Sequence, residues 1–458
     1  MNHLTILGGG PAGLSVAYYA ARAGVPFVLF ERADDVGGMC RTFRHGGHRY
    51  DCGAHRFHDR DPEITRDVYD LLGGELREVT APSKVWERGR FIDFPPTPRS
   101  VIFSGGLLDA FRIGSELMRV RARPRPIVSF EDFALGQFGE TLSRRILLNY
   151  SEKLWGLPAR ELSPDVATRR LQGMNLRSLI TSMVFPARTV RHLDGSFLYP
   201  RGGYGRISEA LAGALPSSSI HTGREIIRIE FDGDHISRIG FDGGISYEPP
   251  DRVVSTLPIG RMAAMIANRM GKDACNAAAR LLFRHIRLIV VFIARPGISN
   301  NASIYVPDPR FLISRLYEPR NRSEVMAPFG ETSLVAEIPC FKGDSIFGRA
   351  DKDLAEVVLD ELSELGLVKR TDVLGWKHHM LPNAYPVYTL DYAENVAVLM
   401  NAMGRISNLD ILGRAGRFHY SHFHDHLRLG KSYVATLLRS SPDNADSDND
   451  STAQGLAR

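Results

Sequence analysis

Three glycines at positions 8, 10 and 13, an acid at 31 and an arginine at 41 are the residues of this chain whose types and spacing most clearly imply chemistry. Gly8 permits a tight turn. Gly10 lets the backbone approach a pyrophosphate, and Gly13 lets a following helix pack close to a sheet. Pro11 and Ala12 complete the loop and open that helix. A helix N-terminus there presents free N–H groups and a positive dipole end to phosphates. Glu31 falls eighteen residues past Gly13, where an acid accepts hydrogen bonds from an adenosine ribose.

Those residues work only if the right elements hold them. The apolar run at 3–7 reads as a strand and Leu14, Ala17, Tyr18 and Ala21 repeat at helical spacing. Gly24 ends the helix, and 25–30 is a second strand closing on Glu31. The unit is a βαβ of the usual size, with every part of the fingerprint in register.

The next segment narrows the ligand. Gly37-Gly38-Met39-Cys40-Arg41 supplies a second close-crossing glycine pair and a guanidinium fork. It resembles the second FAD motif of the flavin amine oxidase, protoporphyrinogen oxidase and UDP-galactopyranose mutase superfamily. Asp51 to His58 resembles the histidine loop of the mutases and their relatives. Phe130–Gly139 with Tyr150–Gly156 resembles a helical signature of the protoporphyrinogen-oxidase-like branch, and 197–205 resembles its returning loop. Ser255-Thr256-Leu257-Pro258 is similar to the end of its returning strand, and Gly413 to Tyr420 resembles the last FAD segment.

The resemblance implies an α/β fold: a Rossmann-like, glutathione-reductase-type FAD-binding domain with an inserted α+β substrate domain. The FAD domain is expected from 1–98, 192–260 and 395–440, the substrate domain from 99–191 and 261–394. A polar tail at 441–458 is expected to be disordered. The resemblance places Gly8, Gly10, Pro11, Ala12, Gly13, Glu31, Arg32, Gly37, Gly38, Met39, Cys40 and Arg41 against FAD. From later segments it adds Gly53, Ala54, His55, Arg56, Gly413, Arg414, Phe418 and Tyr420.

Candidate catalytic residues are His55, Tyr385 and Tyr388. His55 would stabilise reduced flavin or act as a base, the competing reading being a loop-shaping hydrogen bond. The tyrosines of Tyr385-Pro386-Val387-Tyr388 would hydrogen-bond or position a substrate, the competing reading being a proline-fixed turn with packed rings. His419, His422, His424 and His426 alternate as metal ligands could, but without zinc spacing around them; no metal is expected. Arg119, Arg121, Arg123 and Arg125 read as a solvated basic connector, whereas Arg169, Arg170, Arg188 and Arg191 are better placed for an anionic substrate. In the resembling families that attach flavin through a cysteine, that residue lies near the C-terminus; no cysteine lies beyond Cys340, so the resemblance implies non-covalent FAD.

The 458 residues carry a formal net charge of +5, which suits an anionic small molecule and does not argue for nucleic acid. Four cysteines without a Cys-x-x-Cys pair suit a reducing cytoplasm. The longest apolar run, 286–294, is a strand by length, far short of the ~20 residues of a membrane span. A homodimer is left open. The expected reaction is hydride transfer from a small anionic substrate to flavin N5. The alternatives are a non-redox nucleotide-sugar isomerase resembling the mutase, and a flavin-binding protein without catalysis.

Overall fold

A computed structural model of the chain describes residues 3–94, 98–122, 126–170 and 196–440; the side chains of 98–104, 107, 146 and 168–170 are also outside the described set. The expected tail, Arg123, Arg125, Arg188 and Arg191, and the side chains of Arg169 and Arg170 lie outside it.

Short strands, two of them (Leu4–Leu7 and Phe27–Phe30) buried along their whole length, build a five-stranded parallel sheet. Its order is Leu409–Ile411, Arg252–Ser255, Leu4–Leu7, Phe27–Phe30 and Ile220–His221. In chain order that is 5-4-1-2-3, so the direction of winding reverses between Leu4–Leu7 and Arg252–Ser255. Ligands of open α/β sheets bind at such a switch point, and the Gly8 loop leaves the sheet there. The helix Pro11–Arg22 follows, with proline in its first turn, no side-chain cap and no acid in that turn. The C-terminal helix Phe423–Arg439 lies against it, where Gly430 leaves no room for a Cβ beside the Ser15 backbone, at 2.7 Å. A three-stranded antiparallel meander, Ile226–Asp232, His235–Phe241 and Ser246–Tyr247, turns at Gly233 and Gly243, both with positive φ.

The second sheet has seven strands in the order Val373–Pro386, Phe283–Ile293, Thr332–Cys340, Arg315–Tyr317, Ser303–Tyr305, Ser83–Glu87 and Arg90–Phe94. All neighbours are antiparallel except Ser303–Tyr305 with Ser83–Glu87. Ser83–Phe94, expected with the nucleotide segments, thus pairs into the sheet built from 283–386. Alternation along the long strand splits its side chains between two cores. Ile289, Val291 and Ile293 meet the amphipathic helix Asp351–Glu364 through Leu354, Val358 and Leu362. Leu288, Val290 and Phe292 meet Tyr50 and Cys52. That second face looks at the two-stranded hairpin of Thr42–His45 and His48–Asp51, which follows the second glycine motif.

The helices Pro98–Ala122, Phe130–Ser143 and Asn149–Trp155 supply the helical stretch expected after residue 99. Ser129 and Asp132 form a reciprocal capping box at the second of them. Lys153 ties the third to the second sheet by donating to the Val306, Asp308 and Ile313 carbonyls at 2.8, 2.9 and 2.6 Å. Among the described residues, no helix is long and apolar enough to cross a membrane.

Candidate functional site

The two glycine motifs meet. Gly38, at φ +51°, lies so near Gly10 that a Cβ on it would stand 3.0 Å from the Gly10 Cα. The Gly37 amide donates to the Gly9 carbonyl at 2.8 Å. A Cβ on Gly13 would reach within 1.9 Å of the Gly8 carbonyl, so helix and strand pack at a distance only glycine allows. Glu31 accepts from the Gly9 amide at 2.7 Å and the Ala33 amide at 2.9 Å. Arg41 donates through Nε to the Gly38 carbonyl at 3.1 Å and lies 5.5 Å from the Phe43 ring centre. Arg32 is exposed at the rim, and Met39 and Cys40 are half-buried.

The far end of the chain closes on this loop. Gly413, at φ +80°, sits where a Cβ would be 2.9 Å from the Ala12 Cβ. A residue 401 positions further along the chain therefore packs against the first turn of the fingerprint helix. Arg414 follows, half-buried, donating to the Ala384 carbonyl at 3.0 Å while its Nε is buried without a hydrogen-bond partner. Phe418 is different. It is 1% exposed and packs edge-on to Phe283, inside the core.

The Gly53–Arg56 loop is held from three sides. Asp51 is fully buried and accepts from the Tyr199 hydroxyl at 2.5 Å, the Thr42 hydroxyl at 2.7 Å and the Tyr204 amide at 3.0 Å. The Ala54 amide donates to Glu337 at 3.2 Å. His55 stacks on Tyr204 at 4.9 Å and 20°. Burial, together with the guanidiniums of Arg315, Arg322 and Arg414, lowers its pKa to about 3, so its imidazole is neutral at physiological pH. Arg56 donates to the Ser83 hydroxyl at 2.8 Å and lies 4.9 Å from the Phe197 ring centre. Burial, with Arg322 and Arg315 nearby, lowers its pKa to about 10.

Opposite this loop the second sheet carries a row of polar side chains. Register pairs Tyr305 with Arg315, and Arg315 with Glu337. Arg315 grips Glu337 with Nε at 3.0 Å and Nη2 at 2.8 Å, in a nearly dry place. Burial alone would weaken the Arg315 charge; Glu337 more than restores it and raises the pKa above its ordinary value. The same Nη2 lies 3.4 Å from the Tyr385 hydroxyl.

The two candidate tyrosines separate. Tyr385 is half-buried beside Arg315, Arg414 and Tyr420. Tyr388 is 1% exposed, packs with Trp155 and Tyr392, and accepts the Tyr420 amide at 2.5 Å. The strand ends at Pro386, so Tyr388 turns inward while Tyr385 keeps the face toward the loops. Of the late histidines, His422 and His424 stack at 5.6 Å, and burial lowers His422 and His426 to about 4. Among the described residues, no group of three or more His, Cys, Asp or Glu side chains has metal-binding geometry.

Sequence reasoning missed Arg315, Glu337, Tyr204 and Tyr305. Glu337 carried a signal: it is a lone acid inside the apolar run Thr332–Cys340. A buried acid in a strand needs a partner.

The arrangement fits FAD. An uncapped helix start, a glycine pair crossing beside it and an orphaned buried donor at Arg414, next to the Gly413 that touches Ala12, supply the donors and the close approach a pyrophosphate needs. A family model for flavin containing amine oxidoreductase matches residues 11–396. The chain is 30% identical over 156 residues to coproporphyrinogen III oxidase of Mycobacterium leprae (strain TN), covering 31% of this chain and 35% of that protein. It is 23% identical over 294 residues to phytoene dehydrogenase of Streptomyces griseus, covering 57% of this chain and 55% of that protein. Thus the matches span about a third to just over half of these relatives' lengths. In fold, it is similar to reduced UDP-galactopyranose mutase, with a TM-score of 0.82, 22% identity and 96% of each chain covered.

Proposed function

The chain belongs to the flavin containing amine oxidoreductase family, and on that premise we propose an FAD-dependent oxidoreductase acting on a small anionic substrate. One observation carries the reading: the guanidiniums of Arg315, Arg322 and Arg414 gather around a neutral His55, with Arg56 near the first two and Tyr385 beside Arg315 and Arg414. Such a place attracts an anion and repels a cation.

The residues that would hold FAD are the Gly8-Gly10-Gly13 loop at the pyrophosphate, Glu31 at the ribose, and Gly37, Gly38 and Arg41 across the phosphates. Gly53–Arg56 and Gly413–Arg414 would border the ring, with Tyr420 beside them and Phe418 supporting from the core. Bound FAD would supply a two-electron acceptor, at flavin N5, for a hydride from substrate carbon. The chain's own work is positioning. Arg315, fixed by Glu337, and Arg56, fixed by Ser83, would clamp the anion. Neutral His55 can share a proton through hydrogen bonding without adding charge. The Tyr385 hydroxyl, beside Arg315, can donate to a substrate oxygen. Tyr388 supports Tyr420 and stays out of contact with substrate.

The 5-4-1-2-3 sheet and the meander support assigning the FAD half to the glutathione-reductase type. The pairing of Ser83–Phe94 into the seven-stranded sheet supports counting it with the substrate half. Burial pushes the Cys52 thiol up to about 12 and the Cys40 thiol well above its ordinary value. Protonated thiols at that place support non-covalent FAD, and four free cysteines suit a reducing cytoplasm.

The test is an anaerobic titration of the yellow protein with carboxylates, phosphates and nucleotide sugars, following the flavin spectrum. Bleaching by an anionic compound, but not by its neutral analogue, is expected. The guanidinium group would also suit a sugar diphosphate, which gives a second reading: isomerisation without net redox change. Turnover of a nucleotide sugar only after prior reduction, with no net electron transfer, would select it and overturn the first.

A further inference from the structure

The family's name suggests amines, which are ammonium cations at neutral pH. The geometry beside His55 points elsewhere. The rings of Tyr385 and Tyr420 lie within 7° of parallel, with centroids 6.4 Å apart. Two such faces make a cation site, since each ring presents a negative π surface within about 6 Å. That site is already filled. The Arg414 guanidinium carbon lies 5.0 Å from the Tyr385 centroid and 4.3 Å from the Tyr420 centroid.

The filling is built in. Arg414 is pinned by its bond to the Ala384 carbonyl. Tyr420 is pinned by its amide on the Tyr388 hydroxyl, and Tyr385 lies against Arg315. A substrate ammonium arriving at these rings would meet a fixed positive charge at contact distance, with Arg315 close behind. An anion would meet the Arg414 guanidinium, whose Nε has no hydrogen-bond partner, and beyond it Arg315, whose charge Glu337 already balances.

We infer that Arg414 is a specificity-determining residue: it occupies the aromatic cation site, excludes ammonium substrates, and leaves the site to molecules bearing a carboxylate or phosphate. The inference rests on the reading above that substrate binds on the His55–Tyr385 side.

Tetramethylammonium and benzoate, each titrated into the FAD-loaded protein, test it through perturbation of the flavin absorbance. Wild type is expected to respond saturably to benzoate and not to tetramethylammonium. Arg414→Gln is expected to gain tetramethylammonium binding by about tenfold or more and to lose benzoate binding by a similar factor. Arg414→Lys keeps the charge and should keep the wild-type pattern. Saturable binding of tetramethylammonium to wild type, as tight as to Arg414→Gln, overturns the inference alone. Flavin silent to both ions in all three proteins overturns the placement of the substrate, and the inference with it. If Arg414→Gln does not retain FAD, wild type and Arg414→Lys decide: tetramethylammonium binding to either overturns the inference, and its refusal by both beside a benzoate response supports it.

Discussion

At the scale of single residues, burial sets the protonation states. The half-buried His55, His379 and His422 and the buried His426 all have pKa values lowered to about 3 or 4, chiefly by desolvation. An exposed histidine in the unfolded chain titrates near 6.5. Between those values the unfolded chain binds protons that the folded chain refuses. Their contribution to stability is therefore complete above about pH 6.5 and is lost as pH falls toward 4. These four alone account for an uptake of about four protons on unfolding near pH 5. Urea unfolding at a series of pH values measures that number as a slope. A stability that stays flat from pH 7 to 5 contradicts the burial of neutral imidazoles. Gly38 gives a second prediction at this scale. Its positive φ and its 3.0 Å approach to Gly10 mean that Gly38→Ala pushes the two loops apart. An FAD affinity weaker by about tenfold or more is expected, equivalent to ~1.4 kcal/mol of lost contact. Flavin retained per protein after dialysis reads it directly.

At the scale of elements, the site depends on how closely two helices cross. The C-terminal helix reaches the fingerprint helix through Gly430, whose missing side chain admits the Ser15 backbone at 2.7 Å. Gly430→Val inserts volume into a closed contact and should cost at least ~1–3 kcal/mol of stability. Because Gly413 touches Ala12 on the same helix, FAD affinity should fall with it. An unchanged melting temperature would show that the crossing has room for a side chain at 430 and overturn this account. The same elements show what a sequence can and cannot disclose. Gly8, Gly10 and Gly13 were legible because their reason is local: a turn, an approach and a packing contact within six residues. The strands at 4–7 and 27–30 were legible for the same reason. The separation of Tyr385 from Tyr388 was not. Both stand in one aromatic stretch, and only the end of the strand at Pro386 sends one to the site and the other into the core. Phe418 was assigned to the cofactor by its neighbours in sequence, although its side chain packs inward. The Arg315–Glu337 pair was hidden because sheet register, which joins residues 22 positions apart, makes it.

At the scale of the whole molecule, that pair joins the two halves. Glu337 belongs to the seven-stranded sheet, yet its carboxylate accepts the Ala54 amide from the loop after the hairpin of Thr42–His45 and His48–Asp51. It also holds Arg315 in the gap where substrate is proposed to sit. Two explanations for a buried ion pair make different forecasts. If the pair serves the fold, replacing both members with apolar residues of similar volume should destabilise the protein. Buried pairs seldom behave so: removing one partner strands a charge and costs ~3–5 kcal/mol, while removing both is often neutral. Glu337→Leu alone should therefore lower stability by about that amount. Arg315→Met with Glu337→Leu should recover most of the loss. If Arg315 is retained for its charge toward substrate, the double variant folds, binds FAD and fails to respond to any anion that bleaches wild type. Denaturant unfolding and anaerobic flavin titration of the three proteins separate the cases. A double variant as unstable as the single one assigns the pair to the fold. A stable double variant that is still bleached by the wild-type substrate removes Arg315 from the anion clamp, leaving Arg56 and Arg414 to hold it.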